Sequence, residues 1–181
     1  MTEFHPAAYG PVLAPLVCGD RCRALDRGYA DPVLRSALEL ATVEAAFAQT
    51  PLADRDMAAC CIAGVWLVHD FLDESHAISQ RIDTPTGAFW HGVMHRREGD
   101  FSNAKYWFRR VGSHEVLDAL SARVEDLNLP GFGGEFEPHT FVDACQAAQR
   151  SGGQAADICR RIQQVEWELL FDFCCRHAVV A

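Results

Sequence analysis

The sequence predicts an all-α protein, an irregular helical bundle of about seven to eight helices with a buried C-terminal helix at its centre. Three observations carry this. Apolar residues recur at intervals of three and four along most of the chain. Helix-start and helix-stop residues divide it into segments of helical length. No internal repeat, low-complexity run or strand-turn-strand punctuation is present. A length of 181 residues suits a single domain over 1–181, because one core typically organises ~100–200 residues.

The first helix is expected from about Val12 to Arg27, stopped by Gly28. Asp31 is an N-cap followed by Pro32 at the first helical position, opening a helix to about Gln49, with Pro51 beyond. The next runs from about Asp54 to Ser79 on an apolar stripe of Met57, Cys61, Val65, Val68 and Leu72. Asp83 to Gly87 forms a turn. A short helix then covers about Ala88 to Arg97, broken at Gly99, and another covers Ala104 to Val111. Ser113 is placed to cap a helix to about Asp126. Leu129 to Glu137 is a glycine-rich loop with room for a minor hairpin near Gly131–Phe136. Pro138 starts a helix to Arg150, and Gly152 and Gly153 stop it. The last helix, from about Gln154 to His177, is apolar on several sides and is expected to lie in the core.

Composition limits the function. A net charge of −9 and a pI near 5.3 argue against general binding to nucleic acid or to an anionic membrane. The N-terminus shows no basic patch followed by an apolar core, and the apolar run Met57–Val68 is shorter than the ~20 residues a membrane span needs. A cytoplasmic location is expected. The eight cysteines make no CxxC pair, and Cys60-Cys61 and Cys174-Cys175 fall in apolar helical stretches, so all are expected to be small reduced core residues.

The polar residues that break the helical pattern mark the expected site. In the 54–79 helix, Ser75 and Ser79 fall inside the apolar stripe, with His76 at its edge, His69 and Gln80 beside it and Asp73 just beyond. Core-facing polar groups cost roughly 1–3 kcal/mol each unless paired. The segment Thr84–His114 is the densest in chemistry, holding three of eight histidines, two of four tryptophans and five of sixteen basic residues. The only lysine, Lys105, lies within it.

Two chemistries fit that segment. In the first, His91 and His95 are four apart, so both imidazoles leave one helix face. Glu98 extends the face, His76 closes the set from the preceding helix, and Glu166 supplies a carboxylate from the last one. Two or three imidazoles with a carboxylate suit a divalent metal ion, Zn or Fe foremost, with an open position for water or substrate. Asp73 or Asp100 would orient a ligand imidazole. In the second, Arg96, Arg97, Lys105, Arg109 and Arg110 form a basic island for a carboxylate or phosphate. Trp90, Tyr106 and Trp107 would wall a ring-shaped ligand, with Gln80 and Asn103 adding hydrogen bonds. His91 or His95 would then be a general acid/base. His69-Asp70 invites comparison with HD phosphohydrolases, but the only upstream histidine is His5, near the terminus. No nucleophile elbow, P-loop or dinucleotide fingerprint is present.

The run Phe89-Trp-His-Gly-Val-Met-His-Arg-Arg-Glu-Gly-Asp-Phe-Ser-Asn-Ala-Lys-Tyr-Trp-Phe-Arg-Arg110 resembles a family of uncharacterised bacterial and fungal proteins. So do Asp73-Glu-Ser-His-Ala-Ile-Ser-Gln80 and Gln164-Val-Glu-Trp-Glu-Leu-Leu-Phe171. Together they cover about half the chain, and the resemblance implies no activity.

The expectation is therefore an enzyme, a metal-dependent hydrolase or lyase or an iron-dependent catalyst, acting on a small polar, anionic molecule. His76, His91, His95 and Glu166 would hold the metal, and His95, Glu98 and Asp73 would serve catalysis. Gln80, Trp90, Arg96, Arg97, Asn103, Lys105, Tyr106 and Arg109 would bind substrate. The alternative is a non-enzymatic binding module or sensor using the same basic and aromatic pocket. A third reading is an interaction protein whose Trp-rich face packs on a partner or makes a homo-oligomer.

Overall fold

The computed structural model describes residues 4–127, 131–132 and 135–180. Among them the chain forms ten α-helices, two 3₁₀ turns (Pro6–Tyr9 and Pro32–Leu34) and no strand. The helices are α1 Gly10–Val17, α2 Arg35–Leu40, α3 Val43–Ala46, α4 Arg55–Val68, α5 Leu72–Ser79, α6 Pro85–Glu98, α7 Phe101–Val111, α8 Glu115–Asp126, α9 Pro138–Ser151 and α10 Gly153–Ala178. The all-α expectation holds, with ten helices in place of about seven to eight. An isolated antiparallel bridge joins Leu52 to Val179. Of the expected glycine-rich loop and hairpin, Leu129, Pro130, Gly133 and Gly134 lie outside the described residues.

The helices depart from the expected bounds at three places, and at two of these one expected helix becomes two. The first helix stops at Val17 rather than near Arg27. Beyond it, the backbone carbonyls of Arg23, Ala24, Leu25 and Asp26 accept hydrogen bonds from the side chains of Gln163, Gln149 and Arg97. Those bonds replace the intrahelical ones, so a non-helical segment can lie against the bundle without unsatisfied carbonyls. Leu25 is buried by the same docking.

The 32–49 helix is divided at Ala41. Thr42 then caps α3 by accepting from the Ala45 N–H at 3.2 Å. The 54–79 helix is divided into α4 and α5 by Asp70, whose φ of 66° is left-handed. A non-glycine residue there is uncommon and needs outside support. Asp70 has it: Oδ1 accepts from the Arg97 guanidinium at 2.6 Å and Oδ2 from the Tyr29 N–H at 3.2 Å.

Helix caps agree with the sequence reading at some ends and not at others. Asp54 accepts from the N–H groups of Asp56 and Met57 to start α4. Gly99 ends α6 with φ 90°, as expected, but the helix starts at Pro85 rather than near Ala88: Thr84, expected in a turn, caps it by accepting from the Gly87 N–H at 3.1 Å. The cap of α8 is His114 rather than Ser113: its Nδ1 accepts from the Val116 N–H at 3.2 Å. Its other ring nitrogen lies 3.1 Å from Thr86 Oγ1.

Two apolar cores result. The larger gathers residues from α1, α4, α6, α7 and the second half of α10 around Phe89, Trp90 and Phe171. The smaller gathers α8, α9 and the first half of α10 around Leu120, Phe141 and Ile162. The C-terminal helix is central in that it joins them. α6 is the more completely enclosed: every residue from Thr86 to Arg97 is buried. Gly92, inside it, has a packing reason, since a Cβ there would meet the Phe108 ring of α7 at 3.1 Å. No helix among the described residues is long and apolar enough to cross a membrane.

Candidate metal centre

Because α6 is buried on all sides, its polar residues must find partners inside the protein. His91 and His95 stand one turn apart on it, with ring centroids 4.7 Å apart and nearly parallel. His76 comes from α5, which packs against α6. Its ring meets His91 edge-on at 4.7 Å and His95 at 5.3 Å. One ring nitrogen from each of the three lies within 4.8 Å of the other two. Of the metal-binding residue types, this is the cluster of three that the described residues bring together.

Side chains of α6 and α7 pack against the rings. Trp107 of α7 stacks on His91 at 4.0 Å with an interplanar angle of 14°. Asn103, also on α7, brings its side-chain amide 3.1 Å from His95 Nε2. Asp100 caps α7 by accepting from the Asn103 N–H, which positions that amide. A Glu98 carboxylate oxygen lies 3.6 Å from His95 Nδ1.

Two nitrogens in this cluster, His91 Nδ1 and His95 Nδ1, are buried with no hydrogen-bond partner. A buried unsatisfied group costs about 1–3 kcal/mol, and each therefore asks for an explanation. Burial pushes the His91 pKa down to about 3, with the adjacent His95 and His76 adding to the effect. His95 is lowered as well, chiefly by burial, against the opposing pull of Glu98. The neutral imidazole is the form that ligates metal ions. In a tetrahedral zinc site, bonds of ~2.0–2.1 Å set ligand nitrogens roughly 3.4 Å apart. The three ring nitrogens here span up to 4.8 Å.

Several expected site residues lie elsewhere. Glu166 is not with the histidines. It is fully buried in a two-point ion pair with Arg96, one arm of which measures 3.0 Å. Arg96 is thereby committed too, with its guanidinium over the Phe141 ring at 4.6 Å. Arg97 is equally unavailable to a ligand, since it holds Asp70 and the carbonyls of Leu67 and Asp26. Trp90 is core: it packs over Gly64 and donates its indole N–H to Cys174 Sγ at 3.4 Å. Asp73 is exposed and pairs with Arg27 at 2.7 Å, so it orients no imidazole. Gln80 is exposed at the end of α5.

Of the basic island, Lys105 pairs with Asp143 of α9 at 2.5 Å and Arg109 lies over Tyr106 at 5.9 Å. Arg110 is the member nearest the cluster through contacts. It stacks on Trp107 at 5.1 Å and pairs with exposed Asp83. Five arginines and lysines in sequence therefore do not make one basic surface.

His69 and Asp70 also have structural partners: His69 Nε2 lies 2.7 Å from the Leu16 carbonyl, and Asp70 holds Arg97. Sequence reasoning missed both buried arginine pairs. The available signal was a helix with no polar face, in which two consecutive arginines must be buried and hence paired.

No family model, curated protein or solved structure matches the chain.

Proposed function

We propose that the protein binds a divalent metal ion, zinc or iron, through His76, His91 and His95, and uses it to act on a small polar molecule. The carrying observation is the convergence of three imidazoles in which two buried ring nitrogens have no partner. Three imidazoles leave a position open for water or substrate, the arrangement of catalytic rather than closed structural sites. The bound ion would lower the pKa of that water toward neutrality and polarise a substrate oxygen, which suits hydrolysis or hydration.

The chain's own residues supply the rest. Asn103 is placed to fix the His95 ring. Its amide can present either end, because the oxygen and nitrogen differ only by rotation. With the oxygen toward Nε2–H, the Nδ1 lone pair is left to ligate. Glu98, beside His95, is the group positioned to accept a proton from a metal-bound water. Trp107 closes one side of His91 and has the Arg110 guanidinium over its ring. An anionic substrate group would be met by Arg110, since Arg96 and Arg97 are tied up in buried pairs. The family resemblance adds no activity to this reading.

Elemental mass spectrometry on protein purified without a histidine tag tests it, using wild type and His91→Ala. Near-stoichiometric zinc or iron in the wild type and loss in the variant is the expected result. No metal in either, after incubation with each ion and removal of excess, overturns the proposal.

A further inference from the structure

Two of the eight cysteines meet in a way that the sequence does not announce. Cys61 Sγ on α4 lies 3.3 Å from Cys175 Sγ on α10. Both are free thiols.

The cysteines of α4, α9 and α10 differ in access. Cys60, Cys174, Cys145 and Cys159 are all buried, so a solvent-borne reagent meets none of them directly. Cys61 is buried, but its partner Cys175 is only half-buried. Cys175 lines a surface cavity of about 530 Å³ between α1, α3 and the end of α10, with Tyr9, Phe47 and Val179 among the other walls. A small oxidant of water-like size, needing roughly 30 Å³, fits easily.

We propose that Cys175 and Cys61 are a peroxide-reactive thiol pair that closes to a disulfide and ties α10 to α4. The Cys175 thiolate attacks one oxygen of hydrogen peroxide. The O–O bond breaks, hydroxide leaves, and Cys175 carries a sulfenic acid. Cys61 sulfur then attacks Cys175 sulfur: the S–S bond forms, the S–O bond breaks, and the Cys61 proton goes to the departing hydroxide. Two thiols and one peroxide become one disulfide and two waters. Burial and the neighbouring Cys175 hold the Cys61 thiol well above the usual range, so Cys61 acts as the resolving thiol and not the first to react. The 3.3 Å contact leaves a side-chain rotation, not a helix movement, to reach the ~2.05 Å bond.

The test treats the full-length protein with hydrogen peroxide, removes the excess, blocks free thiols and digests without reduction. Peptide fragmentation is expected to show Cys61 cross-linked to Cys175, reversibly by dithiothreitol. The cross-link should persist in Cys174→Ser and Cys60→Ser and vanish in Cys175→Ser. Because the ring it closes spans 114 positions, oxidation should raise the melting temperature of the wild type and not of Cys175→Ser. Wild-type mapping alone decides the assignment should a variant fold poorly. Oxidation of Cys175 to sulfinic acid without a cross-link, a cross-link between other cysteines only, or no reaction of Cys175 would each overturn the proposal.

Discussion

Arg96 and Glu166 face each other across the middle of the protein with both side chains fully buried, joined by a two-point ion pair between α6 and α10. Desolvating two charges costs more than such a pair returns unless every donor and acceptor is used. Removing one partner is worse, since it strands the other charge. Glu166→Gln is therefore expected to destabilise the protein by about 3–5 kcal/mol in urea titration. The double variant Arg96→Met/Glu166→Leu should recover most of that loss. Metal content per folded molecule should be unchanged in both, which separates a structural role for Glu166 from the ligand role its sequence suggested.

The histidine cluster makes an opposite prediction for neighbours that do touch it. Asn103→Ala frees the His95 ring without altering a candidate ligand. Loss of a partner that orients a ligand typically weakens metal affinity ~10–100-fold. Competition with a chromophoric chelator would read this directly. An unchanged affinity would remove Asn103 from the site.

Trp107 lies flat on His91 at 4.0 Å, so a paramagnetic ion in the cluster sits close to one indole. Cobalt(II) is expected to quench tryptophan emission, and Trp107→Phe should lose most of the quench. The three other tryptophans serve as internal reference. Equal quenching in the variant would place the ion elsewhere.

Acid should destabilise the metal-free protein before its carboxylates titrate. Burial lowers the folded pKa of His91 to about 3, and lowers those of His95, His114 and His69. An unfolded histidine titrates near ~6.5. A depressed folded pKa means the unfolded chain takes up protons first. The stabilising contribution is thus complete above pH ~6.5 and is lost as pH falls from there toward about 3. His114 adds a mechanical reason, because its Nδ1 must stay unprotonated to cap α8. Denaturation midpoints of chelator-treated protein that stay level between pH ~7 and ~4 would contradict this.

Gly28 carries a positive φ of 67°, and a Cβ there would meet the Asp70 carboxylate at 2.6 Å. Gly28→Ala pays the left-handed penalty of roughly 1–2 kcal/mol and pushes Asp70 off Arg97. Calorimetry should show a destabilisation larger than the backbone penalty alone, with Asp70→Asn reducing the difference between glycine and alanine at position 28.

Much of the architecture was legible because it is local. Asp54 starts α4 and Gly99 ends α6 by capping chemistry acting over a few residues. The i, i+4 spacing of His91 and His95 places both rings on one face wherever that helix forms. His76 was legible less directly, from a polar residue at the edge of an apolar stripe followed by a short turn.

What sequence alone could not decide were events between distant residues. Asp70 breaks an otherwise helical run because Arg97, held on another helix, rewards its left-handed backbone. Residues 23–26 leave the helix because Gln149, Gln163 and Arg97 take their carbonyls. Glu166 and Arg96 choose each other because both are buried, and a buried charge without a partner is too costly to leave.

By itself, then, the sequence determined the helical class, most helix ends and the His91–His95 face, since caps and periodicity act through the nearest turns of chain. Only the tertiary structure decided that His76 joins those two, that the arginines leave the site, and that α4 and α10 bring Cys61 against Cys175. Those outcomes depend on which side chains burial brings into contact, and no local spacing encodes that.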